Sequence, residues 1–359
     1  MEKKMIIGRR KTRTVRVGSL SIGSESPITV QSMANTTASD IGACVTQALE
    51  LQNAGCDIFR FAVPEKSAAR IFDAAKKVGV TMPLVADIHF DYKIALECAD
   101  AGADKIRINP GNIGGDYRVK EVVKACRKNG LPIRIGVNSG SLEKEILAKY
   151  GSPTPEALAE SALYHASLLE KFDFYDTVIS IKASNPIDMI AANRILAERC
   201  DYPLHIGVTE AGSEKLGTLK SAIGIGSLLA DGIGDTVRVS LTDNPVREIE
   251  AARNILKAVG YGKSGVSLVS CPTCGRTAID LISLVKEFED REDEIKTDRV
   301  LKVALMGCVV NGPGEAREAD IGIAGGKGEA LLIKKGEIIR KIPEDRIIDE
   351  LIDEINRIR

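Results

Sequence analysis

The order of hydrophobic and polar positions switches between two periods over the first 260 residues. Short runs dense in β-branched and aliphatic residues occupy positions 28–33, 57–63, 84–89, 105–109, 133–138, 177–184, 204–210 and 235–241. Between them lie amphipathic stretches with helical spacing, such as 40–53, 67–78, 117–129, 155–171, 186–199 and 245–259. Gly55, Gly79, Gly102, Gly130 and Gly260 fall where such helices end, as C-terminal caps do. Eight strand-like runs interleaved with helices predict an α/β fold, a (β/α)8 TIM-type barrel of about 250 residues. Residues 14–22 alternate around Gly18-Ser19, which predicts an N-terminal hairpin within 12–27 that plugs the barrel floor. The glycine-rich break at 260–265 separates a barrel domain, 1–260, from a smaller α/β domain, 261–359. That domain has apolar runs at 266–269 and 303–306 and a closing helix over 344–359.

Side-chain parity within the runs carries the chemistry. Successive strand residues face opposite sides of a sheet. In the fifth run Ile133, Ile135 and Val137 share one face, and Arg134, Gly136 and Asn138 share the other. Likewise Ile106 and Ile108 oppose Lys105, Arg107 and Asn109, while Ile179 and Ile181 oppose Ser180, Lys182 and Ser184. In the last two runs Leu204, Ile206 and Val208 oppose His205, Gly207 and Thr209, and Val237, Val239 and Leu241 oppose Arg238 and Ser240. The apolar set must meet the surrounding helices, so the polar set faces the barrel axis. Barrel interiors are usually filled with branched apolar side chains. This one directs Arg60, Arg107, Arg134, Lys182 and Arg238 inward, mostly near the strand C-termini, where such barrels carry their active sites.

Internal ion pairing could satisfy any one of these cations. Two evident inward carboxylates, Asp87 and Glu210, cannot balance all five, so an anionic ligand is expected. Arginine's planar fork favours phosphate or carboxylate oxygens, and the expected substrate is a small phosphorylated or diphosphorylated molecule. Asn109, Asn112, Asn138, Ser139, Ser184, Thr209 and Ser240 supply polar donors at the same mouth. His89 ends the third run, as a ligand contact or as a partner of Asp87.

Composition narrows the class. The chain has 359 residues, a net charge of −1 and 28% charged residues, an ordinary surface without a nucleic-acid or membrane footprint. No apolar run approaches membrane-span length, and residues 1–17 are polar and basic without an apolar core, so a cytoplasmic protein is expected. Of eight cysteines, Cys44, Cys56, Cys98, Cys126 and Cys200 show no mutual spacing and read as small buried apolar residues.

The other three form a pattern: Cys271-Pro-Thr-Cys274, then Cys308, followed by Glu315 in the run Gly307-Cys-Val-Val-Asn-Gly-Pro-Gly-Glu315. An iron–sulfur cluster normally takes four thiolates. Here the fourth position is open or filled by a weaker oxygen ligand such as Glu315. A replaceable ligand would let the cluster do chemistry on a substrate. A zinc site with three cysteines fits the same spacing, as does a redox C-x-x-C with an unrelated Cys308. Apolar stretches before Cys271 and Cys308, and the glycines and prolines around Cys308, favour the cluster.

Several segments together resemble the signatures of the 4-hydroxy-3-methylbut-2-enyl diphosphate synthase family, iron–sulfur enzymes of the methylerythritol phosphate route to isoprenoids. They are Asp57-Ile-Phe-Arg-Phe-Ala-Val-Pro64, Ala86-Asp-Ile-His-Phe90, Lys105-Ile-Arg-Ile-Asn-Pro-Gly-Asn112, Arg134-Ile-Gly-Val-Asn-Ser-Gly-Ser141, Ile181-Lys-Ala-Ser184, Gly207-Val-Thr-Glu-Ala-Gly212 and Met306 to Glu315. The resemblance spans both halves and matches the shorter, two-domain bacterial form. It implies reductive opening and dehydration of 2-C-methylerythritol 2,4-cyclodiphosphate with two electrons from ferredoxin or flavodoxin. It implies a [4Fe-4S] cluster on Cys271, Cys274, Cys308 and Glu315; the count of only three thiolates is what predicts a labile Glu315. Diphosphate contacts map onto Arg60, Arg107, Arg134, Asn138, Lys182, Thr209, Arg238 and Ser240, and an acid–base carboxylate onto Glu210. The second domain would resemble the iron–sulfur domain of sulfite and nitrite reductases. A homodimer is implied, each cluster domain acting on its partner's barrel. The residues agree, because a short boundary after the eighth helix cannot easily carry the domain from the floor of its own barrel to the mouth. A zinc-stabilised phosphate-binding barrel enzyme and an iron–sulfur redox sensor are the other classes the residues allow.

Overall fold

The computed structural model describes residues 8–310, 314 and 316–358. Its contacts divide the chain into two compact units between Val259 and Gly260.

The first unit opens with an antiparallel hairpin, β1 (Val15–Val17) and β2 (Leu20–Ile22), in which Val15 pairs with Ile22. Eight parallel strands follow: β3 (Thr29–Met33), β4 (Ile58–Ala62), β5 (Leu84–Asp87), β6 (Lys105–Ile108), β7 (Ile133–Asn138), β8 (Thr177–Lys182), β9 (His205–Ile206) and β10 (Thr236–Val237). Their spatial order is β8-β7-β6-β5-β4-β3-β10-β9, and a parallel bridge between Ile179 and Leu204 joins the two ends into a barrel. Helices α1 (Ile41–Asn53), α2 (Arg70–Lys77), α3 (Tyr92–Asp100), α4 (Pro110–Ile113), α5 (Asp116–Asn129), α6 (Lys144–Tyr150), α7 (Pro155–Glu170), α8 (Pro186–Arg199), α9 (Glu214–Ala230) and α10 (Pro245–Ala258) alternate with the strands.

Local sequence explains the junctions at the strand C-termini. Three of them read Asn-Pro. Asn109, Asn185 and Asn244 each accept the backbone N–H two residues on, at 3.0, 2.9 and 2.9 Å, and the proline fills the first helical turn. At the opposite end of α5, Gly130 adopts the left-handed conformation (φ 65°) that closes the helix. Ladder pairing in β9 and β10 is shorter than the apolar runs 204–210 and 235–241 suggest. Beyond the ladders the backbone stays in register through Arg238 N–H to Ile206 (3.1 Å) and Thr209 N–H to Ala183 (3.1 Å). Helix α9 lacks a clear apolar stripe because glycine lets it pack closely: a Cβ at Gly224 would lie 2.6 Å from Met189 and 2.7 Å from Val208.

The two ends of the barrel differ. Val15, Val17 and Ile22 of the hairpin are buried against Ile58, Val85 and Val178, an apolar floor at the beginnings of β4, β5 and β8. Above it the interior turns polar.

The second unit carries a five-stranded sheet ordered β11 (Gly265–Ser270), β12 (Val300–Met306), β13 (Ile321–Gly326), β14 (Glu329–Lys334) and β15 (Glu337–Pro343). The first three strands are parallel and the last two antiparallel. Helices α11 (Leu281–Asp290) and α12 (Ile347–Asn356) cover an aliphatic core that includes Leu301, Val303, Ile323, Leu332, Leu351 and Ile355. Among the described residues no helix is long and apolar enough to cross a membrane.

Candidate functional site

The barrel mouth holds a cavity of about 200 Å³ lined by Met33, Arg60, Asp87, His89, Arg107, Arg134, Asn138, Ser180, Lys182, Thr209 and Arg238. All come from strands or the residues just after them, which fixes their positions on a closed sheet. Two inward glycines make the space. A Cβ at Gly136 would sit 2.3 Å from the Arg107 guanidinium, and one at Gly207 would sit 2.2 Å from the Arg238 carbonyl and 3.5 Å from Lys182 Nζ.

Two carboxylates pair with three of the five cations. Asp87 is 3% exposed along its side chain and pairs with Arg107 at 3.0 Å, Arg60 at 3.7 Å and His89 at 3.6 Å. Glu248, reaching in from α10, pairs with Arg238 at 3.3 Å and accepts from Ser32 Oγ (2.9 Å) and the Leu241 N–H (3.1 Å). Met33 Sδ accepts from Arg60 Nε and Nη2 at 3.0 and 2.6 Å, and Arg107 Nη2 donates to the Gly136 carbonyl at 3.3 Å. Nε and Nη1 of the buried Arg134 have no hydrogen-bond partner among the described residues.

This crowding shifts protonation. Burial alone would raise Asp87, but Arg60, a hydrogen bond from His89 and the charge of Arg107 hold it well below the usual carboxylate range. Burial, opposed by Asp87 and reinforced by Arg238 and Arg107, brings Arg60 down to about 10. Burial first, then neighbouring cations, pushes Arg134 and Lys182 well below their ordinary values. An anion entering the cavity would offset the cost of holding Arg60, Arg134 and Lys182 charged.

Most mouth residues expected from strand parity meet here: Arg60, Asp87, His89, Arg107, Arg134, Asn138, Lys182, Thr209 and Arg238 line one cavity. Others stand outside its lining. Asn109 is buried and spends its Oδ1 capping α4, Ser240 is half-buried, and Ser184 is exposed. Glu210 corrects the sequence reading. It is exposed and its backbone is left-handed (φ 52°), so it is not an inward carboxylate. Strand alternation gives the reason: Thr209 shares the inward parity of His205, and the next residue points away. The second internal carboxylate is Glu248, which the strand pattern could not reveal because it sits on a helix. Its signal was an acid at helical spacing within an apolar stripe, alongside Pro245, Ile249 and Ala252, all of them buried in the structure.

The cysteines lie in the second unit. Ser270, the last residue of β11, pairs with Leu305 of the adjacent parallel strand β12, so Cys271 and Cys308 emerge at the same sheet edge. The Gly307 N–H donates to Cys271 Sγ at 3.3 Å, and the Ala278 N–H donates to the Gly307 carbonyl at 2.8 Å, which ties the two loops together. Cys274 is exposed, and the backbone and side chain of Arg276 hold its thiol below the ordinary value. Among the described residues no group of three potential ligands is assembled around a metal position. Glu315 lies outside the described residues. Three cysteines from adjacent loops, with a backbone donor already on one sulfur, fit a soft, thiolate-bound group.

With both regions placed, the chain can be compared with known proteins. The GcpE TIM-barrel domain family matches residues 12–253, and the GcpE protein C-terminal domain family matches residues 267–357. A protein of Clostridium perfringens is 57% identical, with 98% of this chain and 100% of that protein covered. One of Fusobacterium nucleatum is 56% identical over 95% and 96%, and one of Geobacter sulfurreducens is 55% identical over 97% and 98%. All three are named 4-hydroxy-3-methylbut-2-en-1-yl diphosphate synthase (flavodoxin). Among solved structures, type I 3-dehydroquinate dehydratase of Clostridium difficile matches with a TM-score of 0.52 at 14% identity, covering 69% of this chain and 98% of that one. That likeness speaks for the barrel fold alone.

Proposed function

The chain belongs to the GcpE family, and from that premise we propose that it is a 4-hydroxy-3-methylbut-2-en-1-yl diphosphate synthase that takes its electrons from flavodoxin. Its substrate is 2-C-methylerythritol 2,4-cyclodiphosphate. Two electrons enter, one carbon–oxygen bond to the diphosphate breaks, and one hydroxyl leaves as water with a proton. The observation that carries this reading is the cavity whose five cations meet, among the described residues, the two carboxylates Asp87 and Glu248. Membership of the family gives no support to a zinc-stabilised barrel or a redox sensor.

Charge on the diphosphate grows as the ring opens, and guanidinium groups already held in place stabilise that charge without reorganising. Arg134 has donors to spare for it. Arg60 and Arg107 are oriented by Asp87, and Arg238 by Glu248. Asn138, Thr209 and Lys182 complete the diphosphate contacts, with Ser240, Asn109 and Ser184 beyond them. Glu210, next to Thr209 at the exposed end of the mouth, is the acid–base carboxylate for water loss.

Cys271, Cys274 and Cys308, with Glu315 as the fourth ligand, would hold a [4Fe-4S] cluster. Bound there, the cluster supplies single electrons and a Lewis-acid position for a substrate oxygen. Two chains form a twofold dimer in which each cluster domain serves its partner's barrel. Anaerobic assay of the iron-loaded protein with the cyclodiphosphate and a chemical reductant tests the activity: hydroxymethylbutenyl diphosphate must appear, and its absence from fully loaded protein overturns the reading. Mixing inactive Cys271→Ser and Arg134→Ala chains should restore activity in heterodimers, since one composite site is intact. Heterodimers that form and stay inactive exclude the trans arrangement.

A further inference from the structure

Beneath the cavity the barrel holds polar side chains to which catalysis gives no task. Gln31, Lys105, His205 and Thr236 precede Met33, Arg107, Gly207 and Arg238 by two positions. Strand alternation therefore aims them at the same axis, one step nearer the floor. All are buried, with exposures of 1% or less. Lys105 Nζ, both ring nitrogens of His205 and both amide atoms of Gln31 have no hydrogen-bond partner among the described residues.

Lys105 is the unusual member. Around the axis stand Arg60 on β4, Arg107 on β6, Arg134 on β7, Lys182 on β8, His205 on β9 and Arg238 just past β10. Strand β3 contributes Thr29, Gln31 and Met33, which do not titrate. The two carboxylates are engaged elsewhere, Asp87 with Arg60 and Arg107, and Glu248 with Arg238. A buried ammonium among cations with no carboxylate of its own is costly. Guanidinium groups stay protonated throughout the working pH range, so the barrel sheds charge through an amine or an imidazole. Burial first, then Arg134 and Arg60, disfavours the charged form of Lys105.

We propose that Lys105 is a charge-adjusting positioning residue, neutral in the free barrel, that takes a proton from solvent when a diphosphate settles into the cavity above it. This rests on the cavity being a diphosphate site. The added negative charge restores the ammonium, and the restored charge holds the anion. The coupling is reciprocal, so diphosphate binds more weakly as pH rises and the proton becomes harder to take up. Lys182 and His205 are shifted in the same sense, burial being the first cause for each, so variants must assign the proton.

Calorimetric titration of inorganic pyrophosphate into the full-length, cofactor-loaded protein provides the test, at mildly alkaline pH in buffers of different ionisation enthalpy. Wild type should take up about one proton per site more than Lys105→Met or Lys105→Gln, since ligand ionisation is common to all three. Equal uptake in wild type and a folded variant overturns the proposal while the diphosphate site stands. Pyrophosphate that fails to bind wild type overturns both. If neither variant folds, wild type still puts the proposal at risk: its Kd, corrected for ligand ionisation, should weaken by up to about tenfold per pH unit, and a flat Kd overturns the proposal.

Discussion

The two units of this chain bury opposite chemistries. The C-terminal unit keeps an aliphatic core of the Leu301, Val303, Ile323 and Leu332 kind and puts its reactive groups on loops at the sheet edge. The barrel reverses this. Its apolar residues face the helices, and its axis carries Arg134 and Lys105 at 1% exposure or less above a floor of Val15, Val17 and Ile22. A loop site can be lost without loss of its sheet. An axial site is part of the barrel's interior, so its charges must be balanced or the barrel bears the cost. Under the proposed function, the difference separates what binds from what transfers electrons.

The largest expected effect lies on the loop side. Replacing Cys271, Cys274 or Cys308 with serine should remove most of the bound iron and essentially all turnover, read by iron and sulfide analysis beside the anaerobic assay. Circular dichroism should stay near wild type, because Cys271 only packs against the margin of the aliphatic core and Cys274 is exposed. Glu315→Cys should separate cluster assembly from catalysis, keeping a coloured protein with almost no activity; wild-type turnover there would mean that the fourth ligand need not be labile.

On the axial side, Arg134→Ala and Arg238→Ala should keep iron content while kcat/KM falls at least about tenfold. A buried charge-assisted contact of this kind is worth roughly 2–5 kcal/mol. A variant that melts earlier yet turns over normally would return these arginines to a structural role. Asp87→Asn probes the balance itself. The Asp87 carboxyl is depressed in the folded state, so its stabilisation is present above the unfolded value of about 4 and is lost as pH falls below it. Wild type should therefore lose melting temperature more steeply than Asp87→Asn on acidification below that point, and parallel acid limbs would deny Asp87 its pairing role.

The same contrast explains what could be read from sequence. Strand parity exposed the axial cations because a barrel interior alternates strictly with its exterior, and one run such as Arg134-Ile-Gly-Val-Asn138 shows both faces. Glu210 was misplaced because it lies past the end of β9 on the parity opposite to Thr209, so the rule itself gave no ground for an inward position. The rule is blind to contributions from helices, which is why Glu248 went unseen. Helix α9 was hidden by Gly217 and Gly224, whose value is close packing rather than hydrophobicity. Cysteine spacing marked the sheet edge, while only the pairing of β11 with β12 shows why residues far apart in sequence share it.

Separation of binding from electron transfer is measured most directly by titrating the cyclodiphosphate into two variants under anaerobic conditions. Iron-free Cys271→Ser should still bind it, within about tenfold of wild type, since the axial cations supply most of the affinity. Iron-loaded Arg134→Ala should bind at least about tenfold more weakly than wild type. Loss of binding in Cys271→Ser with retention in Arg134→Ala would contradict the division and place the main anchor for substrate on the cluster.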